Sequence, residues 1–187
     1  MDELKELMNR YVEGDSEAFA ALYQRAAPPL LSYLVRMCGA RDVAEDLLQE
    51  SFFKVHRARA SFVRGAAPMP WLYAIAHRTF LDHARRNQRA RVRPAGDAAN
   101  LPSIAAHITG TRATDYSPER PEVNARVHAA LEQLPVSQRQ AVVLTKLEGL
   151  TLAEAASVAD TSVGAIKQRI HRGYTKLRSL LSEQSSD

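Results

Sequence analysis

The chain has 187 residues, a formal net charge of +4, 45% hydrophobic and 25% charged residues, a balance that excludes wholesale disorder and allows one or two small globular cores. No apolar run approaches the roughly 18 to 20 residues of a membrane span, and MDELKELMNR at the amino terminus is acidic and amphipathic where a secretory signal would be basic and then apolar. Cys38 is the only cysteine, so no intrachain disulfide can form; a cytoplasmic location with no membrane insertion and a buried structural thiol is expected.

Residues 16–39 carry helical periodicity that Pro28 and Pro29 should interrupt and Gly39 should stop. A second amphipathic helix follows. Ala44, Leu47, Leu48, Ser51, Phe52 and Val55 form its apolar side, while Asp42, Glu45, Asp46, Gln49 and Glu50 lie toward the other. SFVRGAAPMP, residues 61–70, is too rich in glycine and proline for helix and ends at Trp71. The third helix, 70–92, keeps Leu72, Ile75, Ala76, Thr79 and Phe80 on its core side. Arg78, Arg85, Arg86 and Arg89 can accompany a phosphate backbone, because Asp82 can pair with only some of them at i+3 and i+4. His77, Asp82 and His83 do not compose a metal or hydrolytic site: positions six apart stand about 600° around a helix and so on different faces. These histidines are expected at the surface or facing nucleic acid.

Residues 94–121 hold four prolines and no sustained periodicity, which reads as a linker. As a flexible coil it would span on the order of 30 Å, and fully extended roughly 90 Å; SIAAHI within it could form a transient helical turn. Two helical segments follow, PEVNARVHAALEQL and SQRQAVVLTKLEG, with Ser137 and Gln140 as a possible capping box and Gly149 as a stop. In TLAEAASVAD, Thr151 and Glu154 make a second capping box, and Leu152, Ala155, Ala156 and Ala159 make a small-residue side that a neighbouring helix can approach closely. After a turn at Asp160 and Thr161, Ser162 can cap the last helix. Val163, Ile166, Ile170, Tyr174 and Leu177 form its apolar stripe, and Gly164, Lys167, Gln168, His171, Arg172 and Thr175 the opposite one. Two short helices joined this way make a helix-turn-helix, whose second helix enters the DNA major groove and here presents Lys167, Gln168, His171 and Arg172.

Charge is segregated along the chain. Residues 61–93 contain seven arginines and one acid, and 164–187 are also basic, whereas 1–60 and 122–163 are net acidic. Two separate basic blocks suggest a polyanion touched at two places. No stretch alternates like a strand, so the fold class is all-α: two small helical domains, 1–93 and 122–187, joined by the flexible linker 94–121, the second domain carrying the helix-turn-helix.

Four ordered motifs, GDSEAFAALYQR at 14–25, AEDLLQESFFKVHRA at 44–58, PWLYAIAHRTFLDHARR at 70–86, and the run from Leu134 to Leu177, resemble the extracytoplasmic-function (ECF) sigma factors of the bacterial sigma-70 family. The resemblance covers nearly all of residues 10–182. It implies a promoter-specificity subunit that has no catalytic residue, cofactor or metal and initiates transcription with core RNA polymerase. By resemblance, residues 1–93 are sigma region 2 and 122–187 sigma region 4. Asp42, Glu45, Asp46, Gln49 and Glu50 would dock on the clamp of the beta-prime subunit, with Asp46 and Gln49 foremost. Arg64, Trp71, Arg78, Arg85, Arg86 and Arg89 would meet the minus-ten element, the 61–70 loop holding a flipped base. Ser162, Gly164, Lys167, Gln168, His171 and Arg172 would meet the minus-thirty-five element. An anti-sigma factor is the implied regulatory partner. Arg78 stands where the family commonly has asparagine, and Asp160 and Thr161 where it has a turn glycine and an aliphatic residue. A helix-turn-helix transcriptional regulator would share 151–177 without needing the acidic second helix or the tryptophan-headed basic one. A non-enzymatic interaction module is a further reading, which a lack of promoter-dependent initiation would favour.

Overall fold

A computed structural model describes residues 2–92 and 121–183, with side chains placed for 3–89 and 125–182; the expectations for residues 94–120, including the SIAAHI turn, lie outside them. Among the described residues every regular element is helical. In order they are α1 (Asp2–Val12), α2 (Ser16–Cys38), α3 (Arg41–Ala58), a short 3-10 turn (Arg59–Ser61), α4 (Pro68–Val92), α5 (Pro121–Glu132), α6 (Val136–Val142), a π-turn (Val143–Leu147), α7 (Leu152–Val158) and α8 (Val163–Glu183).

Helix α2 starts at Asp15, whose side chain accepts from the Glu17 and Ala18 amides and is itself held by Arg10. It runs unbroken through Pro28 and Pro29, contrary to the expected interruption. The two prolines remove the amides that would bond the Gln24 and Arg25 carbonyls, but both of those residues are exposed, where water can take the place of the missing donors. Meanwhile Leu22, Ala26, Leu30, Tyr33, Leu34 and Met37 are buried, and this continuous apolar face holds the helix direction. Gly39 ends it at φ 82°, in the left-handed region, and its amide bonds the Val35 carbonyl. The buried residues of α3 are the six named from its periodicity.

In the second half the Thr151–Glu154 capping box forms as expected, and Ser162 Oγ accepts from the Ala165 amide at the start of α8. Asp160 takes φ 47° in the connecting turn, a conformation a short polar side chain tolerates. The Ser137–Gln140 box does not form. Helix α6 begins two residues earlier, after Pro135, with no side-chain cap, and Gln140 points into the core instead. The buried stripe of α8 is also shifted from the expected one: Ile166, Gly173 and Leu177 are buried and Ile170 half-buried, whereas Val163 and Tyr174 are exposed. Gly173 sets that rotation, because a Cβ there would lie 2.9 Å from Val142 Cγ2 on α6.

The two halves pack on each other. Helix α7 lies against α4, and α5 and α6 against the carboxyl end of α2. There the second half completes the first: Arg139 donates to the Met37 carbonyl at 2.6 Å and to that of Glu132 at 2.7 Å, and His128 Nε2 donates to Val35 O at 3.3 Å. Arg139 thus caps the Met37 carbonyl at the end of a helix in the other half, and His128 adds a second bond to the Val35 carbonyl that Gly39 already meets. His77, expected at the surface, is buried on this side of α4. Cys38 is held by a bond from its thiol to the Ala40 carbonyl, and burial pushes the thiol up to about 11, in keeping with a structural role.

Candidate nucleic-acid interface

Helix α4 presents two different sides because its core face is claimed from three directions. Leu72, Ile75, Ala76, Thr79 and Phe80 are buried as expected, and Tyr73 and His77 are buried with them. Arg78, Arg85, Arg86 and Arg89 are exposed. Arg85 stands 3.7 Å from Asp82, and Arg86 3.2 Å from Glu50 on α3; these four residues and Arg89 line a shallow groove of about 400 Å³. Trp71, at the head of the helix, is half-buried and meets Phe62 edge-on with ring centroids 5.3 Å apart. This pair ties the start of the loop to the first turn of α4, which begins at Pro68, inside the stretch 61–70 expected to be wholly irregular. The loop's outermost residues, Val63 and Arg64, are exposed, and Arg64 pairs with Glu13 at 3.0 Å. An aromatic anchor, an exposed loop and a row of arginines suit a strand with unstacked bases, whose faces stack on rings while its phosphates follow the cations.

On α3 the acidic side faces outward: Asp42, Glu45, Asp46 and Gln49 are exposed and Glu50 half-buried. Glu45 is paired with Arg41, and Glu50 with Lys54 and Arg86. Sequence reasoning passed over the aromatic patch beside them. Phe19, Tyr23, Gln49, Phe52, Phe53 and His56 line a depression of about 410 Å³, and Phe53 is 73% exposed. A signal existed, since consecutive phenylalanines on a helix are about 100° apart and cannot both face one core.

On α8 the predicted residues Ser162, Gly164, Lys167, Gln168, His171 and Arg172 are all exposed, but they do not form one row. Lys167 and His171 line a groove of about 920 Å³ with Lys146, Thr151, Tyr174 and Arg178. Arg172, five residues beyond Lys167, is turned about 140° from it. Lys146, Tyr174 and Arg178 were missed in the sequence because they belong to the same surface only once α6 and the π-turn are folded beside α8. Arg169 is half-buried and faces toward His77 of α4, whose imidazole is held down to about 4 by burial and then by the Arg169 charge.

Glu148 also lies among these helices. The π-turn ends there with a bond from its amide to the Val143 carbonyl. One extra residue in that turn rotates it by about 100° relative to an uninterrupted α-helix. Its carboxylate, 5% exposed, receives Arg36 of α2 and, at 2.7 Å, the hydroxyl of Tyr73 of α4. Burial raises the carboxyl and the two donors oppose that shift. Tyr73 in turn stacks edge-on against Tyr33, which bonds His77 Nδ1 at 2.8 Å.

Residues 22–90 match the family model described as sigma-70 region 2, and residues 124–177 match sigma-70, region 4. The chain is 35% identical over 178 residues to RNA polymerase sigma factor CarQ of Myxococcus xanthus, covering 94% of this chain and 96% of that one. It is 33% identical to ECF RNA polymerase sigma factor SigF of Caulobacter vibrioides, covering 93% and 91%. Its fold is similar to that of the sigma factor RpoE from Bartonella quintana, solved in complex with the anti-sigma factor NepR, with a TM-score of 0.67, 24% identity and coverage of 88% and 96%.

Proposed function

The chain belongs to the ECF group of the sigma-70 family, a family of specificity factors for transcription initiation, and from that premise we propose how its surfaces divide the work. The α3 face binds core polymerase through its beta-prime clamp. Asp46 and Gln49 supply the polar contacts, and Phe53 offers the apolar anchor beside them. An acidic face speeds encounter with a basic partner and fixes its register, while a buried aromatic supplies affinity. The loop before α4, with Arg64, Trp71, Arg78, Arg85 and Arg89, holds the opened minus-ten strand. Helix α8 enters the major groove at the minus-thirty-five element, with Lys167 and Arg172 on phosphates and Gln168 and His171 toward base edges.

The observation that carries this division is the segregation of exposed charge: acid on α3, arginine on α4, and a mixed basic and amide face on α8, all outside the cores. A regulator needing only a helix-turn-helix has no use for the first two. The relative solved with NepR supports an anti-sigma factor as the partner that covers these surfaces when transcription is off. Run-off transcription with purified core enzyme tests the reading. Transcripts should require both the protein and a promoter of matching elements.

A further inference from the structure

We infer that Asn9 of α1 is a positioning residue for minus-ten reading: by holding one peptide group of the loop before α4, it turns the Arg64 carbonyl outward as an acceptor for an unstacked base that carries an amino group. The inference rests on the promoter-reading assignment above and names the base chemistry that this loop selects. Val63 to Ala66 form a β-turn, closed by the Ala66 amide on the Val63 carbonyl at 3.1 Å. Gly65 has φ 78° and Arg64 does not have positive φ, which makes the turn type II. The same residues could close a type I turn, and the two types differ by a half-rotation of the middle peptide, which joins the Arg64 carbonyl to the Gly65 amide. Asn9 decides between them. Its Oδ1 accepts from the Gly65 amide at 3.3 Å. Because the C=O and N–H of a trans peptide point in opposite directions, the Arg64 carbonyl faces away from α1.

Helix α1 is itself firmly placed. Leu7, Met8 and Tyr11 are buried on one side of it, and the Tyr11 hydroxyl is hydrogen-bonded to His56 Nδ1 of α3 at 2.7 Å. The opposite edge carries Asn9 and, one turn on, Glu13, whose amide still bonds the Asn9 carbonyl at 3.2 Å. The Glu13 carboxylate holds the Arg64 side chain at 3.0 Å. One contact thus fixes the main chain of the turn, and the other draws its charged side chain toward α1, which leaves the carbonyl on the open side. Val63, Arg64 and Gly65 are all exposed, and a Cβ at Gly65 would meet nothing within 4 Å. An outward carbonyl accepts from the amino group of adenine or cytosine and opposes the carbonyl oxygen that thymine or guanine has in its place. A type I turn would present the Gly65 amide instead and reverse that preference. Helix α1 precedes residues 22–90, which match sigma-70 region 2, so base selection by that region draws on an element outside it.

The test uses the full chain bound to core polymerase, with promoter DNA opened over the minus-ten element and randomised there. At one position of the opened strand the parent should favour adenine or cytosine over thymine by roughly fivefold or more, the worth of a single hydrogen bond. Asn9→Ala should abolish or reverse that preference at this position alone, leaving the minus-thirty-five preference and the affinity for core enzyme unchanged. Gly65→Ala, which removes no contact but disfavours positive φ, should have the same effect. Asn9→Asp keeps the acceptor oxygen and should keep the parent's base ratio, even where its charge lowers binding to every sequence. The inference is overturned if Asn9→Ala retains the parent's base ratios, if it weakens binding to all sequences equally, or if the parent selects thymine or guanine at every selective position. A selective parent matched by an equally selective Asn9→Ala would remove the inference alone. A parent with no base preference anywhere in the opened element would overturn the promoter-reading assignment and the inference with it.

Discussion

Arg86 Nη2 lies 3.2 Å from Glu50 Oε2, joining the acidic helix α3 to the basic helix α4 along one edge. Lys54 also reaches Glu50, at 3.0 Å, and Asp82, at 3.5 Å. Burial pushes the Glu50 carboxyl up, but bonds and charges from Lys54 and Arg86 outweigh it and hold the group below the ordinary carboxylate range. Glu50 is thus already engaged within the protein, unlike the outward-facing Asp46 and Gln49.

The acidic residues should therefore contribute unequally to polymerase binding. Asp46→Ala and Gln49→Ala should each weaken association by about 1 kcal/mol or more, and Phe53→Ala by at least as much. Glu50→Ala should do less to polymerase binding, while freeing Arg86 and strengthening DNA contact. Competition for core enzyme against a labelled parent measures the first three. Equal affinities throughout would remove α3 from the polymerase interface.

The glycines of α8 give a packing test. Gly173→Ala places a methyl 2.9 Å from Val142 Cγ2 and should cost about 1 to 3 kcal/mol through forced separation of α6 and α8. Gly164→Ala meets only Ser162 Oγ, at 3.8 Å, and should stabilise the helix by about 0.5 to 1 kcal/mol. Thermal melts of the two variants should move in opposite directions.

Acidification should loosen the packing around His77. Its unfolded value is 6.5 and its folded value about 4, so above pH 6.5 both states are neutral and the group has no effect. Below 6.5 the unfolded chain takes up the proton first, and stability is lost until about pH 4. The loss from pH 7 to 5 is on the order of 2 kcal/mol. Tyr33 of α2 and Arg169 of α8 face the imidazole, and neither supplies a negative charge to retain the proton. Glu148 opposes the trend at the acid end, since its raised carboxyl is easier to protonate when folded. Denaturant midpoints at pH 7 and 5 should fall more steeply for the parent than for His77→Gln; identical slopes would assign the acid sensitivity elsewhere.

These residues also mark where the sequence is readable. The buried set of α3 and the five core residues assigned to α4 follow from periodicity, because a helical stripe depends only on positions three or four apart. Tyr73 and His77 lie beside that stripe, and what meets them there is Tyr33 of α2 and, for Tyr73, Glu148, contacts that no local pattern encodes. The same holds for Glu148, which reads as an ordinary charge before a glycine until the π-turn rotates it inward. Ser137 and Gln140 have cap spacing, yet Pro135 starts the helix sooner and Gln140 is drawn into the core. On α8 the polar residues were legible as exposed, but close approach at Gly173 fixes which of them share a groove.

The four polar residues of α8 should separate by kind of contact. Lys167→Ala or Arg172→Ala should weaken binding on all sequences, with a salt slope smaller by about one where a phosphate contact is lost. Gln168→Ala and His171→Ala should alter base preference, at roughly 1 to 3 kcal/mol for the affected base pair. Ile166→Ala, at a fully buried position, should instead lower stability by about 2 to 5 kcal/mol. Binding across a promoter-element library at several salt concentrations distinguishes these outcomes from a merely solvated face.

The most direct measurement is run-off transcription by core polymerase with this protein on a promoter library randomised at both elements. Transcripts should depend on the added protein and be enriched for one sequence at each element, with Gln168→Ala shifting the preference only at minus thirty-five. Transcription indifferent to both elements, or unchanged when the protein is withheld, would contradict the account.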